Sequence, residues 1–321
     1  MMKHTIVAFG EIMLRLTPPD TVLNAAHFDA FYGGSESNVL VALSAMGNPT
    51  RYLTKLPQND LGRGAVMHLN KYGVDCSQVI MQGDTMGMYF FAPGFACRQA
   101  SVIYARKHSE VTTLTGEDLD FDNAFADCGL FHISGISFAL SQSVEQLCFR
   151  LIAEAKKRQI PVSFDFNYRS KLWSVETAKK VFQRIVPLAD IVFCSQRDLE
   201  SFLDVTAATY FDAFSTPCLV VRERDIFAQD AHAIRASVYV DGKPVATVQK
   251  DICVLERIGG GDAFAAGFLH GYLHFDQNWA KTLDFAATCF ALKHTIAGDV
   301  LPLTESELIA YQTSAPKDVK R

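Results

Sequence analysis

The sequence lacks the features that define several classes of protein. No apolar run is long enough to span a bilayer, and no cluster of Lys and Arg is longer than the "AKKRQ" of residues 155–159. The formal net charge is −5, so the chain offers no broadly basic surface for nucleic acid or for an anionic membrane. We therefore expect neither a nucleic-acid partner nor a membrane partner.

Cysteine is present but follows no pattern. The eight cysteines include no C-x-x-C pair and no closely spaced run, which argues against a zinc site and against a disulfide framework. The N-terminal segment "MMKHTIVAFGEIML" has only a short apolar run, which Glu11 interrupts. No A-x-A-like cleavage site follows it. We interpret this segment as a first strand rather than an export signal, and we expect a reducing, cytoplasmic location.

The order of apolar segments indicates the fold class. With 321 residues and 49% hydrophobic content, the chain can bury a large core. Short apolar runs alternate with longer segments of helical period, which is typical of an α/β protein with a largely parallel sheet. No repeat or linker divides the chain, so we predict one domain over residues 1–321. The predicted strands are residues 4–9, 130–134, 161–167, 190–194 and 218–221.

Two of the predicted helices have recognisable ends. In "SQSVEQLCFRLIAEAKKRQ", Ser143 is followed three residues later by Gln146, the spacing of a capping box, and the last turn is basic. In "SESNVLVALSAMG", apolar residues recur at helical spacing between Ser35 and Gly47.

Two regions depart from this alternation. Residues 12–19 alternate apolar and polar side chains, and "MGMYFFAPG" and "ASVIYARKH" are rich in aromatic residues. Such segments are typical of half-exposed strands. We predict a small second sheet that stands off the main domain, where it would cover a cleft or pair with another subunit. An edge extension of the main sheet is the alternative.

Polar side chains follow the predicted strands where each strand ends. Ligands of open α/β sheets bind beyond the carboxyl ends of the strands, so these side chains predict a crevice there. A single polar residue at a strand end is usually only the start of a solvated loop. The first strand ends in Gly10 and Glu11, and the other polar residues concerned are Asp165, Asn167, Arg169, Ser195, Asp198, Arg222 and Glu223.

The segment "ERIGGGDAFAAGF" of residues 256–268 predicts an anion site. Three glycines allow backbone amides to converge, and a helix expected to begin near Ala263 adds the positive end of its dipole, so residues 259–261 would cradle a phosphate. The chain contains neither G-x-x-x-x-G-K-[ST] nor G-x-G-x-x-G. Asp262 is either an N-terminal cap or a base that takes a proton from an attacking hydroxyl.

Two distant motifs carry a family resemblance. "GGGDAFAAGFLHG" is similar to the C-terminal signature of the PfkB/ribokinase family of carbohydrate kinases, and "FYGGSESNVLVALSAMG" resembles its N-terminal signature. The resemblance runs from about residue 6 to about residue 305. It implies a ribokinase-like three-layer α/β/α sandwich with a mainly parallel central sheet and a small β-sheet lid, made by residues 11–34 and 86–107. The segments "FDFNYRSKLW", "VIYARKHS" and "KHTIAGD" are most similar to the kinases of 2-keto-3-deoxygluconate.

The resemblance also implies roles for individual residues. Asp262 would be the catalytic base, and Gly259, Gly260 and Gly261 would form the anion hole over the γ-phosphate. Mg²⁺–ATP would be the phosphate donor, and a homodimer through the lid is implied. The residues implied in sugar binding are Gly33, Gly34, Asn38, Tyr89, Tyr104, Arg106, Arg169 and Asp299, and those implied in nucleotide binding are Asn167, Ser195, Arg222, Gly259 and Gly261.

An acidic sugar is favoured by a separate argument. A substrate carboxylate needs a fixed cation, which a neutral sugar such as fructose does not. Arg106 and Arg169 can supply bidentate hydrogen bonds, and Tyr89 and Tyr104 can supply hydroxyl donors. The alternative for Arg106 is a place on a solvated face. A kinase of fructose or another neutral sugar, and a sensor without catalytic activity, are the alternative functions.

The sequence departs from the family pattern in three places. Residues 256–258 are "ERI", where many members have an Asp-Thr pair, so the cation-binding loop of some relatives is not expected. "SQRD" at residues 195–198 stands in place of N-x-x-E, and no metal ligand is assigned. The segment after "LVVRE" lacks the glycine-rich turn of many relatives, which leaves the adenine side undefined.

Overall fold

The computed structural model describes residues 4–313, and a nine-stranded sheet organises them. The strands of this sheet are β1 (Thr5–Phe9), β4 (Thr50–Leu56), β5 (Val79–Met81), β8 (Cys128–Ser134), β9 (Val162–Asp165), β10 (Ile191–Cys194), β11 (Cys218–Ile226), β12 (Ala231–Val240) and β13 (Lys243–Cys253). Their order is β13-β12-β11-β10-β9-β8-β1-β4-β5; seven run parallel, and β12 and β13 continue the sheet with antiparallel pairing. All five strands predicted from the sequence are present, and β11 extends five residues beyond its predicted end.

Helices cover both faces of the sheet. One buried apolar cluster packs α1, α2, α9 and α10 on one face, and a second packs α5 and α6 on the other, which is the predicted α/β/α sandwich. The helices are α1 (Ser35–Ala45), α2 (Asp60–Lys71), α3 (Phe121–Ala124), α4 (Gly135–Phe138), α5 (Gln142–Lys157), α6 (Val175–Ile185), α7 (Gln196–Asp198), α8 (Tyr210–Ala213), α9 (Gly260–His274), α10 (Trp279–Lys293) and α11 (Glu305–Thr313). Within residues 4–313, no helix is both long and apolar enough to cross a membrane.

Helix α5 begins two residues earlier than the sequence predicts. Its N-cap is Ser141, whose hydroxyl accepts the amide hydrogen of Val144, so the predicted capping box at Ser143 is wrong. The Ser143 hydroxyl instead donates to the carbonyl of Thr112 at 3.3 Å. Neighbouring serines offer equivalent capping chemistry, and both hydroxyls also donate to the carbonyl of Thr112, with Ser141 at the shorter distance of 2.7 Å.

A second, four-stranded sheet is separate from the main one. It has the order β3-β2-β6-β7, formed by β2 (Met13–Thr17), β3 (Asp29–Gly33), β6 (Met88–Ala92) and β7 (Ser101–Ala105). We call this element the small sheet. Its existence confirms the predicted second sheet, and the alternative of an edge extension is wrong.

The small sheet turns one polar residue inward. Arg15 on β2 is 1% exposed, although the alternating pattern predicts that polar residues of this strand face solvent. The guanidinium lies against the rings of Phe31 and Phe91, at 4.8 and 5.0 Å from their centroids. The face that carries Arg15 therefore packs against the interior.

Candidate active site

A cavity of about 570 Å³ lies where the carboxyl ends of the strands meet the small sheet. Fourteen of the fifteen site residues predicted from the sequence line it; Ser195 does not. These fourteen are Gly33, Gly34, Asn38, Tyr89, Tyr104, Arg106, Asn167, Arg169, Arg222, Gly259, Gly260, Gly261, Asp262 and Asp299. The predicted crevice is therefore present.

Asp262 lies in the first turn of α9, and its carboxylate is held by another helix. The side-chain amide of Asn38 donates to Oδ2 at 2.7 Å, and the hydroxyl of Ser35 donates to Oδ1 at 3.2 Å. Helix α9 begins at Gly260, not near Ala263, and its N-cap is Gly259, so the interpretation of Asp262 as the cap is wrong. The carboxylate faces the cavity instead of capping its own helix.

The environment of Asp262 favours its protonated form. Desolvation raises the pKa of this carboxyl from 3.8 to about 7, while the hydrogen bond from Asn38 and the charge of Arg169 act in the opposite direction. A carboxylate with a pKa near 7 accepts a proton from a hydroxyl more readily than an ordinary aspartate does. This is the property that a general base requires.

The glycine loop before α9 is fixed by close contacts. Gly259 has φ of +80°, and a Cβ at this position would collide with the carbonyl oxygen of Asp299. The tight turn aims the first amides of the 15-residue helix at the cavity, and an α-helix leaves these amides without partners inside the helix. The loop therefore offers amide hydrogens and the positive end of a helix dipole to an anion.

A chain of hydrogen bonds joins three segments at the base of the cavity. Asn167, which has a left-handed φ of 39°, donates from its side-chain amide to the hydroxyl of Ser35 at 2.5 Å, and Ser35 in turn donates to Asp262. Sequence reasoning missed Ser35. Ser35 could have been found from its position as the first residue of the helix that carries Asn38.

The small sheet supplies the opposite wall. The hydroxyl of Tyr89 donates to Asp299, and Arg15 donates to both Asp299 and Glu256. Both carboxylates are buried, and Glu256 also accepts the amide hydrogens of residues 257 and 258 just before the glycine loop. The position of this loop thus depends on a guanidinium from the small sheet.

The two arginines predicted to bind a carboxylate occupy different surroundings. Arg106 is buried and already paired with Glu11, with its guanidinium 5.5 Å from the ring centroid of Tyr104. Arg169 is exposed and donates to the carbonyl of Tyr168 at 3.1 Å. No carboxylate among the described residues forms an ion pair with Arg169, so its charge is available to a ligand.

The nucleotide-side residues also separate into two groups. Arg222 donates to the carboxylate of Asp165 at 2.7 Å and to the carbonyl of Gly261 at 2.9 Å, which ties β11 to the glycine loop. Ser195 forms a reciprocal capping box with Asp198 at the start of α7, away from the lining of the main cavity. Burial raises the pKa of Asp198.

Oxygen ligands for a divalent cation are sparse in the protein itself. Across residues 4–313, no group of three His, Cys, Asp or Glu side chains is placed to hold a metal ion. Besides burial, the charge of Asp165 raises the pKa of Asp198. Magnesium commonly takes one or two carboxylates, with substrate phosphates and water completing its shell, and Asp165, which lines the cavity, fits that role.

Comparison with known proteins identifies the family. A model described as "pfkB family carbohydrate kinase" matches residues 3–305. The chain is 31% identical to the 2-dehydro-3-deoxygalactonokinase of Haloferax volcanii over 315 residues, with 96% of each chain covered. The chain belongs to the pfkB family of carbohydrate kinases, as its two sequence motifs predict.

Solved structures agree with this assignment. A PfkB family carbohydrate kinase from Listeria grayi has a TM-score of 0.92 and 31% identity, covering 97% of this chain and all of the other. The 2-dehydro-3-deoxygluconokinase of Thermotoga maritima has the same TM-score and identity, covering 97% and 98%. The ribokinase-like fold predicted from the sequence is confirmed.

Proposed function

We propose that this kinase transfers the γ-phosphoryl group of ATP to the 6-hydroxyl of 2-keto-3-deoxygluconate. One observation carries the proposal: a carboxylate with a pKa near 7 faces the cavity beside the N-terminus of α9, and the guanidinium of Arg169, which has no ion-pair partner in residues 4–313, lines the same cavity. The first feature suits activation of a hydroxyl, and the second suits an acidic sugar.

The reaction is a displacement at phosphorus. The 6-hydroxyl oxygen forms a bond to the γ-phosphorus, its proton passes to Asp262, and the bond between the γ-phosphorus and the bridging oxygen breaks to release ADP. The amides of Gly260 and Gly261 stabilise the charge on the transferred group. Asn38 and Ser35 hold the carboxylate of Asp262 in place while its protonation state changes.

Substrate recognition divides between the two walls of the cavity. Arg169 binds the substrate carboxylate, and Arg106 and the hydroxyl of Tyr104 line the same cavity. Because the Glu11 carboxylate already neutralises Arg106, we assign the larger part of the carboxylate affinity to Arg169. Gly33, Gly34 and Asp299 face the sugar hydroxyls.

The phosphate donor lies along the other end of the cavity. Arg222 is positioned by Asp165 and Gly261 to contact its phosphates. Magnesium neutralises phosphate charge when bound, and Asp165, which lines the cavity, is the carboxylate that would hold it, directly or through water. Asn167 joins this side to Asp262 through Ser35.

The 4-epimer of the substrate is a second candidate. The Haloferax volcanii relative, at 31% identity, is named for 2-dehydro-3-deoxygalactonate, which differs from the gluconate form in the configuration at C4. Both epimers carry the carboxylate that Arg169 would bind and the 6-hydroxyl that Asp262 would activate. Discrimination between them therefore rests on contacts at C4.

The test is a steady-state comparison of ADP release. We expect turnover with 2-keto-3-deoxygluconate, and we include the 4-epimer, fructose, ribose and adenosine as competitors. Arg169→Met should raise KM for the acidic sugar about 10- to 100-fold, the loss of a charge-assisted hydrogen bond, with little effect on KM for ATP. Lys179→Met, which removes a half-exposed cation that pairs with Asp204 on another part of the surface, is the control.

Each outcome assigns a function. A preference for fructose contradicts the acidic-sugar proposal, and faster turnover of the 4-epimer selects the second candidate. Substrate binding without turnover in the wild type would indicate a sensor. Asp262→Asn should bind substrate and lose about 100- to 10,000-fold in kcat, the range ascribed to general base catalysis.

A homodimer formed through the small sheet is also proposed. Its strand β7 alternates between exposed and partly buried residues, and Ile103 on this strand is 52% exposed. An exposed apolar side chain on a regular strand is suited to a partner surface. Sedimentation should show a dimer that Ile103→Asp weakens, and a wild type that is monomeric throughout would contradict the proposal.

A further inference from the structure

Three arginines converge on the nucleotide end of the cavity. Arg222 and Arg224 are two residues apart on β11, a spacing that places side chains on the same face of a strand. Arg257 approaches from the segment before the glycine loop, and all three line the cavity. Three positive charges at one end of a cavity repel one another, and a bound anion would stabilise them.

Only one of these charges is compensated by the protein. Asp165 pairs with Arg222. Neither Arg224 nor Arg257 has a carboxylate within ion-pair distance in the part of the chain that the structure describes, and the guanidinium of Arg224 lies 5.1 Å from the ring centroid of Phe290. Burial, followed by the charges of Arg257 and Arg222, lowers the pKa of Arg224 to about 10.

The position of the pair selects the ligand. Arg222 contacts the carbonyl of Gly261, so the transferred phosphate is expected at the glycine loop beside Arg222. Arg224 lies farther along β11 toward the turn at residues 227–230. If the transferred phosphate lies at the glycine loop and the polyphosphate chain follows β11, the remaining two phosphates would reach Arg224 and Arg257.

We propose that Arg224 and Arg257 bind the two phosphates of the nucleotide that are not transferred. In this chain the side chains of the two arginines contact the phosphates, in place of the backbone amides that a glycine-rich turn would offer. Guanidinium groups match phosphate oxygens in geometry, and two of them compensate the charge that ADP retains after transfer. The assignment deepens the proposed function and rests on it for the identity of the donor.

A binding measurement tests this assignment without requiring turnover. The dissociation constant of Mg²⁺–ADP is measured by calorimetry for the wild type and for Arg224→Met, Arg257→Met and the double variant. We expect each single change to weaken ADP binding about 10- to 100-fold, with an equal factor for ATP, because the contacted phosphates are common to both. AMP binding should change least.

Two controls separate this effect from loss of structure. Arg235→Met removes an exposed guanidinium from the neighbouring strand β12, where it pairs with Asp225, and should leave ADP binding unchanged. The sugar dissociation constant should be the same in all variants. If Arg224→Met does not fold, Arg257→Met, at a half-buried position, still tests the phosphate assignment.

The outcomes distinguish the two levels of the argument. Unchanged ADP affinity in a folded Arg257→Met variant overturns the assignment, as does a wild type that binds neither ADP nor ATP. An equal weakening of sugar and nucleotide would place the pair at the acceptor instead. Weakened ADP binding in a protein that phosphorylates none of the tested sugars supports the arginine pair and contradicts the proposed function.

Discussion

Arg15 donates a hydrogen bond to Glu256 across 241 positions of sequence, and it joins the small sheet to the segment that leads into the glycine loop. A second bond from the same guanidinium reaches Asp299 at 2.9 Å. The carbonyl oxygen of Asp299 in turn lies so close to Gly259 that a Cβ at position 259 would collide with it. One side chain of the small sheet therefore supports both segments that hold the glycine loop.

Removing Arg15 should destabilise the protein strongly. Arg15→Met keeps most of the side-chain volume but leaves the buried carboxylates of Glu256 and Asp299 unpaired, which costs about 3–5 kcal/mol. Urea denaturation gives the free energy of unfolding. Arg235→Met, at an exposed pair, should cost about 1 kcal/mol or less. Similar values for both variants would show that the buried cluster does not contribute as argued.

The pH dependence of turnover should report Asp262. The base must be ionised, and its pKa is raised to about 7, so kcat/KM should fall about tenfold per pH unit below pH 7 and level off above it. The hydrogen bond from Asn38 lowers this pKa, so Asn38→Ala should move the acidic limb to higher pH. A limb near pH 4, or one unaffected by Asn38→Ala, would contradict the assigned base.

Gly259 and Gly242 offer a matched pair of substitutions. Both have φ of +80°, so alanine is strained at either position. At Gly242 the added Cβ would lie 3.7 Å from Phe211, an ordinary contact, whereas at Gly259 it would meet the Asp299 carbonyl. We expect Gly242→Ala to cost about 1 kcal/mol with unchanged kcat, and Gly259→Ala to lower both stability and kcat. Equal effects would exclude the close approach as the cause.

Lys293 should make stability increase with pH in a basic window. This fully buried lysine donates to the carbonyl of Ile296 at 2.8 Å, and burial lowers its pKa from 10.5 to about 8. Between pH 8 and 10.5 the unfolded chain binds more protons at this residue than the folded chain, so its contribution to the free energy of unfolding rises with pH.

The matching variant is Lys293→Met. Relative to this variant, the wild type should gain on the order of 3 kcal/mol between pH 8 and pH 10.5, measured by urea denaturation at each pH. The difference in slope is the relevant quantity, because loss of the bond to Ile296 shifts the variant equally at every pH. Parallel curves would show that Lys293 titrates like an exposed lysine.

The strands and most of the cavity could be predicted from the sequence because they follow local patterns. The apolar run alone is enough to predict β9, whatever the rest of the chain does. The rule that ligands bind at the carboxyl ends of strands then places Asp165 and Asn167 at the cavity. The glycines before Asp262 likewise indicate a tight turn before a helix, and the structure has that turn at Gly259. Local chemistry and topology sufficed for these residues.

The charge pairs could not be predicted in the same way. Nothing near Arg15 in the sequence indicates that it contacts Glu256, and an arginine in an alternating strand is ordinarily placed toward solvent. The same limitation applies to Arg106, whose partner Glu11 lies 95 residues away. Pairing across such separations depends on packing of the whole chain, which periodicity does not contain.

The contact between Asn38 and Asp262 also has a consequence for synthesis of the protein. The two residues are 224 positions apart, and helix α10 packs on α9 after Asp262 has been made. During translation the chain therefore carries Asn38 long before it carries Asp262. With Asp262 as the proposed base, phosphate transfer begins only when the carboxyl-terminal helices have left the ribosome and docked.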